Sequence, residues 1–370
     1  MTNPPAYLDS ASSEPMHPVA RETFLAALDA GYADPRRLHG PARSARLLLD
    51  NARAAVAECL EVRADEVSFT SSGTSAVHLG LLGLARGRRR HGDVIVLPAV
   101  EHSAVRHAAS WGGTPRVVGV DSLGRVDPDD LRRRADSPDV AVCALQSANH
   151  EVGTVQPVGT LSAELADEVP VFVDACASMG RLPLPDGWSA LAGSAHKWGG
   201  PAGVGVLLVR HGARWENPFP EDDRVDHRTS GFENVPAALA AAAALQAVLT
   251  ERDEVNARQH ALVDRVRAAA AAIPDIDVVG DPFDRLPHRV TFSCLYVNGE
   301  ALVTELDRRG FGVASGSACT ASTLEPSHVL AAMGALTHGN VRVSLTRATT
   351  AEQVDAFCAA LPEVVAGLRT

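Results

Sequence analysis

The sequence is almost without lysine. Of its 34 basic residues only Lys197 is a lysine, and all the others are arginine. Acidic residues outnumber basic ones, so the formal net charge of −11 lacks the positive surplus with which a general nucleic-acid-binding protein neutralises phosphates. We therefore expect a small molecule or another protein as the partner, and no direct contact with nucleic acid.

Long hydrophobic runs and a disulfide framework are lacking as well. The longest apolar run, Pro236 to Leu249, is rich in alanine, contains Gln246 and is too short to span a bilayer, which predicts a buried helix and no membrane segment. Six cysteines at irregular spacing in 370 residues are typical of free thiols in a reducing compartment. The first residues, Met1 to Pro5, have neither the basic nor the apolar region of a signal peptide. We expect a cytoplasmic protein.

The order of apolar segments predicts the fold class. Hydrophobic residues make up 46% of the chain and charged residues 21%, as in ordinary globular proteins. Short β-branched runs alternate with helical stretches rich in Ala, Leu and Arg, which is the pattern of a mostly parallel sheet covered by helices on both faces. The predicted strands are Val67–Thr70, Val94–Leu97, Arg116–Val120, Val140–Leu145, Val171–Asp174 and Val204–Val209. The sequence thus predicts an α/β protein.

The pattern changes near residue 250. A polar helix from about Glu251 to Ile273, ended by Pro274, follows the Ala-rich helix. Shorter strands at 278–279, 289–296 and 341–345 then alternate with a helix that begins at Glu300. These segments predict a large domain over residues 13–250 and a smaller C-terminal α/β domain formed by residues 1–12 and 251–370.

The single lysine is a candidate for chemistry that arginine cannot perform. A primary amine can lose its proton and form a Schiff base with a carbonyl group, whereas a guanidinium stays protonated. Lys197 follows Ser194 and His196 and precedes Gly199 and Gly200, so it lies on a tight, glycine-rich turn. A leftover surface lysine is the alternative, but it would not need those neighbours.

Other polar residues follow predicted strands, at the edge where open α/β sheets bind ligands. The turn from Ser71 to Ser75, which contains Gly73 and Thr74, suits a phosphate, although an ordinary helix N-cap has the same composition. Asp174 ends one strand and either caps a helix or projects into the site. His102 follows another strand and either stacks on a ring or caps a helix. A lysine, an acid and a phosphate turn together favour pyridoxal phosphate as the cofactor.

Motifs along nearly the whole chain resemble one enzyme family. They are Tyr7–Asp9, Thr70–Thr74, Glu101-His102, 148–153, Val173–Ala175, Ser194–Lys197, Ser315–Thr320, Leu324–Ser327 and Val341–Leu345. On these motifs the chain resembles the cysteine desulfurases of the class V aminotransferase group, in the branch with a long cysteine-bearing loop. The resemblance implies the fold type I architecture of pyridoxal-phosphate enzymes, a large domain plus a smaller C-terminal one, and a homodimer.

The resemblance also implies roles for single residues at the cofactor. The residue matching Lys197 carries the cofactor, the residue matching Asp174 pairs with its pyridine nitrogen, and the residue matching His102 stacks on its ring. Residues matching Thr74, Ser194 and His196 hold its phosphate. Gly73 lies in the same turn as Thr74. No resident metal is expected.

Two further residues are implied at the substrate. Arg342 matches the arginine that binds the substrate carboxylate, and a planar, bidentate donor suits that group, although a surface ion pair is the alternative. Cys319 matches the thiol that takes sulfur as a persulfide, and its small neighbours predict a loop. The cysteines at 59, 143, 294 and 358 lie in apolar patterns and Cys176 follows Asp174, so we expect structural roles for all five.

The implied activity converts L-cysteine to L-alanine and passes the sulfur from Cys319 to an acceptor protein. A selenocysteine lyase or another class V lyase, in which Cys319 is dispensable, is one alternative. A sulfur-relay or scaffold protein with little turnover is the other, because the cofactor pocket departs from the family pattern.

Three positions carry those departures: His150 replaces an asparagine, Ala177 a glutamine, and Phe232 a threonine that reaches the phosphate of the partner subunit. We expect His150 to lie beside the phenolic oxygen of the cofactor. With an ordinary pKa of about 6.5, the imidazole would change its charge within the working range of many enzymes. The alternative is that His150 turns away and caps the following turn.

Overall fold

The computed structural model describes residues 5–165, 169–315 and 326–369. Within these ranges the helices are α1 Pro18–Ala30, α2 Gly40–Leu60, α3 Gly73–Gly87, α4 Ser103–Gly112, α5 Pro128–Ala135, α6 Val158–Ala163, α7 Val235–Ala271, α8 Gly299–Arg308, α9 His328–Ala332 and α10 Ala351–Leu368. The strands are β1 Ala6–Tyr7, β2 Val67–Thr70, β3 Val94–Pro98, β4 Thr114–Val118, β5 Val140–Gln146, β6 Val171–Asp174, β7 Ala190–Ser194, β8 Gly205–Val209, β9 Ile276–Val279, β10 Arg289–Cys294, β11 Phe311–Gly312 and β12 Asn340–Ser344.

The central element is a 7-stranded sheet in the order β2-β8-β7-β6-β5-β3-β4. The strands from β7 to β4 pair in parallel, while β8 runs antiparallel to both of its neighbours, β7 and β2. The predicted α/β class and mostly parallel sheet are confirmed.

Helices cover both faces of this sheet. Val94 and Val96 of β3 pack in one hydrophobic cluster with α2, α5 and the first half of α7, whereas Ile95 and Leu97 pack in another cluster with α3 and α4. Successive side chains of a strand point to opposite faces, so a strand buried on both faces is apolar throughout. The continuous apolar runs of the sequence follow from this layering.

A smaller unit surrounds a 3-stranded antiparallel sheet in the order β12-β10-β9. The end of α7, α8 and α10 pack against it, and Ala6 and Leu8 join the same hydrophobic cluster because β1 pairs with β11. The division of the chain into domains near residue 250 stays a prediction.

Two segments differ from the sequence expectations. The Ala-rich helix and the polar helix form one continuous helix, α7, of 37 residues. The change in composition near residue 250 marks the passage from buried to exposed surface, since neither glycine nor proline interrupts the chain there. Strand β7 was not predicted, because Ala and Gly have low β-propensity and only the neighbouring strands favour the extended chain. None of the helices in the described ranges is long and apolar enough to cross a membrane.

Candidate active site

A cavity of about 460 Å³ opens at the carboxyl ends of the parallel strands. It brings together every predicted cofactor or substrate residue that lies in the described ranges: Gly73, Thr74, His102, His150, Asp174, Ser194, His196, Lys197 and Arg342. Strand β6 ends at Asp174, β7 ends at Ser194, and β2 leads directly into the turn before α3. The sheet edge collects residues that are far apart in the sequence.

The turn before α3 requires a glycine. Ser72 caps the helix by accepting a hydrogen bond from the Ser75 amide at 3.0 Å. A Cβ on Gly73 would lie 2.6 Å from the Cβ of Ser194, so any side chain here would push the turn away from the end of β7. The backbone of the first turn of α3 thus approaches Ser194 closely, and a helix N-terminus of this kind suits an anion.

Lys197 ends a 3-10 turn that follows β7. Its Nζ donates a hydrogen bond to the carbonyl of Ala11 at 2.9 Å. Burial, and after it the charge of Arg289, lower the pKa of the Lys197 amine below its ordinary value. A lowered pKa increases the fraction of neutral amine, which is the form that attacks a carbonyl. The alternative of a leftover surface lysine is wrong.

Asp174 is a buried carboxylate at the floor of the cavity. Its Oδ1 accepts a hydrogen bond from the amide of Cys176 at 2.9 Å. Burial and the negative charge of Asp174 raise the pKa of the Cys176 thiol well above its ordinary value. Cys176 lines the cavity but stays protonated, so it is a poor nucleophile.

His102 both caps a helix and lines the cavity. Its Nδ1 accepts a hydrogen bond from the Ala104 amide at 3.1 Å, at the N-terminus of α4. Burial lowers the pKa of the His102 imidazole, against the opposing effect of Asp174. Because Nδ1 accepts, the proton of the neutral ring lies on Nε2. His102 can therefore cap α4 and still present its ring to the cavity, so the two alternatives for this histidine are compatible.

His150 lies edge-on to His102, with 4.8 Å between the ring centroids. Its Nδ1 is buried and has no hydrogen-bond partner among the described residues. Burial, followed by the charges of His102 and Lys197, lowers the pKa of His150 well below its ordinary value. The lowered pKa places the change of charge below the expected range near pH 6.5. The role of His150 beside the cofactor stays a prediction.

Arg342 reaches the cavity from β12 and is almost fully buried. One amino group, Nη2, contacts Asp9 Oδ1 and Ser12 Oγ, each at 2.9 Å. The expected alternative of a surface ion pair is wrong, because the pair with Asp9 lies inside the protein. Nη1 donates to the carbonyl of His150 at 3.3 Å, which links the small sheet to the turn after β5.

Two departures from the family pattern fall in different places. Ala177 lines the cavity, so the pocket has a methyl group where an amide is usual. Phe232 is 60% exposed and lies against Arg224, outside the lining of this cavity. Cys319 lies outside the described residues.

Sequence reasoning missed several cavity residues. Asp9 was quoted only within a motif, and Ser12 and Gln146 were not singled out, although all three support or line the site. Asp9 and Ser12 follow an N-terminal strand of two residues, too short for a periodic signal. Gln146 is the last residue of an apolar strand. A polar amide at the carboxyl end of a buried strand is the sequence signal that could have identified it as a site residue.

Residues 6–357 match the aminotransferase class-V family model. The chain belongs to that family. It is 36% identical over 383 residues to an IscS-like cysteine desulfurase of Mycobacterium tuberculosis, which covers 98% of this chain and 97% of the relative. It is 32% identical over 377 residues to the cysteine desulfurase IscS of Dictyoglomus turgidum, with 98% and 95% covered. The solved structure of a NifS-like protein matches with a TM-score of 0.90 at 26% identity, covering 98% of this chain and 100% of the other.

Enzymes of the class-V family use pyridoxal phosphate, and the residues of this cavity fit that cofactor. An amine of lowered pKa, a buried carboxylate and a helix N-terminus face one space. The close approach at Gly73 and the unpartnered Nδ1 of His150 are features that a bound polar group would explain.

We expect Gly73→Ala to weaken binding of pyridoxal phosphate about tenfold, because the new methyl group separates the phosphate turn from Ser194. The measurement is a titration of cofactor-free protein followed by absorbance. Gly40→Ala is the matched control, since a Cβ at this first position of α2 meets nothing within 4 Å. Equal affinity in the two variants would contradict a close fit at Gly73.

Proposed function

We propose that this protein is a cysteine desulfurase that converts L-cysteine to L-alanine and leaves the sulfur as a persulfide on Cys319. The observation that carries the proposal is the cavity in which Lys197, Asp174 and Arg342 meet. An amine, a buried acid and a guanidinium there match the needs of a cofactor aldehyde, a pyridine nitrogen and an amino-acid carboxylate. The names of the relatives point to the same reaction.

Bound pyridoxal phosphate supplies an electron-withdrawing ring that makes the bonds around the substrate α-carbon easier to break. Lys197 is the covalent attachment point in the resting enzyme, and its lowered pKa favours the neutral amine. With substrate bound, the neutral amine of Lys197 would take the α-proton of the substrate and return a proton to it. A guanidinium could neither form a Schiff base nor move the α-proton. This explains why the one lysine of the sequence lies at this position.

Asp174 and His102, which both line the cavity, would hold the cofactor ring. The Asp174 carboxylate, fixed by the Cys176 amide, stabilises positive charge on the pyridine nitrogen. The His102 ring, fixed by its bond to the Ala104 amide, offers a flat face for stacking. Thr74, Ser194 and His196 line the end of the cavity beside Gly73, where the phosphate is expected.

Arg342 binds the substrate carboxylate. Its guanidinium faces the cavity, and its ion pair with Asp9 and its bond to the His150 carbonyl fix the plane of the fork. Nη2 gives both of its N–H groups to Asp9 and Ser12, so the N–H of Nη1 that does not bond the His150 carbonyl is left for the carboxylate, and this contact would orient the substrate α-carbon toward Lys197.

Cys319 takes the sulfur. Its thiolate attacks the substrate sulfur: a sulfur–sulfur bond forms, the carbon–sulfur bond breaks, and the electron pair stays on the substrate carbon, which takes up a proton to give L-alanine. The described residues on either side of the segment that contains Cys319 support this role. Ala314 pairs with Arg342 through two backbone hydrogen bonds, and Ser327 donates to Glu151, next to His150, at 2.8 Å.

We also propose a homodimer that passes sulfur to an acceptor protein in the cytoplasm. A homodimer is typical of cysteine desulfurases. Large apolar side chains are exposed on α1, α2 and their connection, which favours a covered surface: Leu25, Leu28, Tyr32, Leu38 and Leu47. The cysteines in the described ranges are free, as expected in a reducing compartment.

Lys197→Arg is expected to be colourless with added pyridoxal phosphate, whereas the parent protein is yellow. Borohydride reduction followed by mass spectrometry should add one cofactor mass to the parent chain and none to the variant. No other lysine exists to substitute. A reduced cofactor adduct on the variant would overturn the assignment of Lys197.

Cys319→Ser is expected to bind L-cysteine but to lose nearly all sulfide release in the presence of a reducing thiol, since a hydroxyl cannot accept sulfur as a persulfide. Sulfide and alanine are measured together. Cys358→Ser, a half-buried thiol of α10, is the control and should keep parental rates. Undiminished release from Cys319→Ser would indicate a lyase, and no turnover by the parent protein would indicate the relay or scaffold alternative.

The parent protein is expected to have the mass of two chains in light scattering after gel filtration. Leu38→Asp with Leu47→Asp should shift the mass toward one chain, because charges then lie in the buried contact. Phe283→Asp, which changes an equally exposed apolar side chain elsewhere, should stay dimeric. A monomeric, fully active parent protein would refute the dimer.

A further inference from the structure

A second buried guanidinium lies next to Arg342. Arg289 is only 1% exposed, and its Nη1 donates to the carbonyls of His150 at 2.6 Å and Asn149 at 3.3 Å. Its Nη2 donates to Nε2 of His288 at 3.0 Å, and its Nε has no partner. No carboxylate of the described residues forms an ion pair with it. A buried positive charge without a counter-charge is costly and calls for an explanation.

The small sheet places the two arginines on one face. Thr291 of β10 lies opposite Arg342 of β12, and Arg289 stands two residues before Thr291, so the three side chains point to the same side. Both guanidinium groups donate to the same carbonyl, that of His150. A Cβ on Gly153 would lie 2.9 Å from Cγ of Arg289, so this glycine leaves room for the arginine stem.

The charges around these two groups do not cancel. Asp9 compensates Arg342. Glu151, whose carboxyl group interacts with the charge of Arg342, is buried, and burial raises its pKa toward the neutral form. No described carboxylate forms an ion pair with Arg289, so its charge has no close counter-charge, and this charge helps to lower the pKa of Lys197.

We propose that Arg289 is a positioning residue for the substrate carboxylate: its charge supplies the positive excess that lets Arg342 bind that carboxylate while Arg342 remains paired with Asp9. Arg289 does not line the cavity, so it acts through Arg342 and the His150 carbonyl that both arginines share. The site is thereby selective for amino acids with a free carboxylate over their neutral amides. This inference rests on the proposed function, because it refines how the same site recognises its substrate.

A purely structural role makes a different prediction. If Arg289 only holds the turn from Asn149 to Gly153, its replacement disturbs His150 and the pocket as a whole. Ligands with and without a carboxylate then lose affinity together. If its charge matters, only the ligand with a carboxylate loses affinity.

The test compares the binding of L-alanine and L-alaninamide to the holoenzyme, followed by the absorbance of the cofactor. Arg289→Gln keeps an amide donor for the His150 carbonyl but removes the charge. We expect it to lower the preference for L-alanine over L-alaninamide about tenfold, the order of one charge interaction in a partly desolvated site. Arg289→Met provides the same comparison with an apolar chain of similar length, should the glutamine variant fail to fold.

Arg285→Gln is the matched control. Arg285 is 4% exposed and lies four residues earlier, but it pairs with the solvent-exposed carboxylate of Asp264 and makes no hydrogen bond to the His150 carbonyl, so its removal takes no charge from beside Arg342. It should keep the parental preference. An unchanged preference in the Arg289 variants, or an equal loss for both ligands, would overturn the inference. Sulfide and alanine release by the parent protein from L-cysteine tests the proposed function separately, because ligand binding does not require the sulfur chemistry.

Discussion

The buried ion pair between Glu14 and Arg181 holds the site together. Arg181 Nη2 contacts Glu14 Oε2 at 2.7 Å, and Nη1 donates to Gln259, whose amide in turn donates to the carbonyls of Leu345 and Thr346. The Glu14 amide donates to the carbonyl of His196, beside Lys197. One ion pair thus connects α7, the end of β12 and the lysine turn. Removal of one partner would leave an uncompensated buried charge, which costs about 3 to 5 kcal/mol of folding stability.

This pair fixes the N-terminal segment of residues 8–14, which then contacts both chemical ends of the cavity. Ala11 accepts the hydrogen bond of Lys197, while Asp9 and Ser12 hold Arg342. The distance between the Lys197 amine and the Arg342 guanidinium is therefore set by a short hydrogen-bonded turn, in which the Ser12 amide donates to the Asp9 carbonyl. An enzyme that must align an α-carbon between two groups benefits from such a rigid link.

Burial gives the cavity its charge pattern. The pKa values of His102, His150 and His196 are all lowered, first by burial, so these rings act as neutral hydrogen-bonding or stacking groups. The thiol of Cys176 and the carboxyl groups of Glu101 and Glu151 shift the other way, because burial raises the pKa of each. His150 and Ala177 thus contribute an uncharged part of the cavity lining.

The sequence by itself determined the layered α/β architecture, because strands buried on both faces must be apolar and their spacing leaves room for helices. It also predicted Lys197, Asp174 and the turn at Gly73 as site residues, since few residue types can supply an amine, an acid and a close backbone approach, and all three line one cavity. Only the tertiary structure decided that burial lowers the pKa of His150, that Asp9 and Ser12 support Arg342, and that Arg289 lies beside Arg342 without an ion-pair partner among the described residues. These properties depend on burial and on contacts between residues far apart in the chain, and no local pattern encodes them. Strand β7 and the unbroken helix α7 also depend on tertiary structure and not on intrinsic propensity. The neighbouring strands hold β7 extended, and α7 continues from the core into solvent without a break.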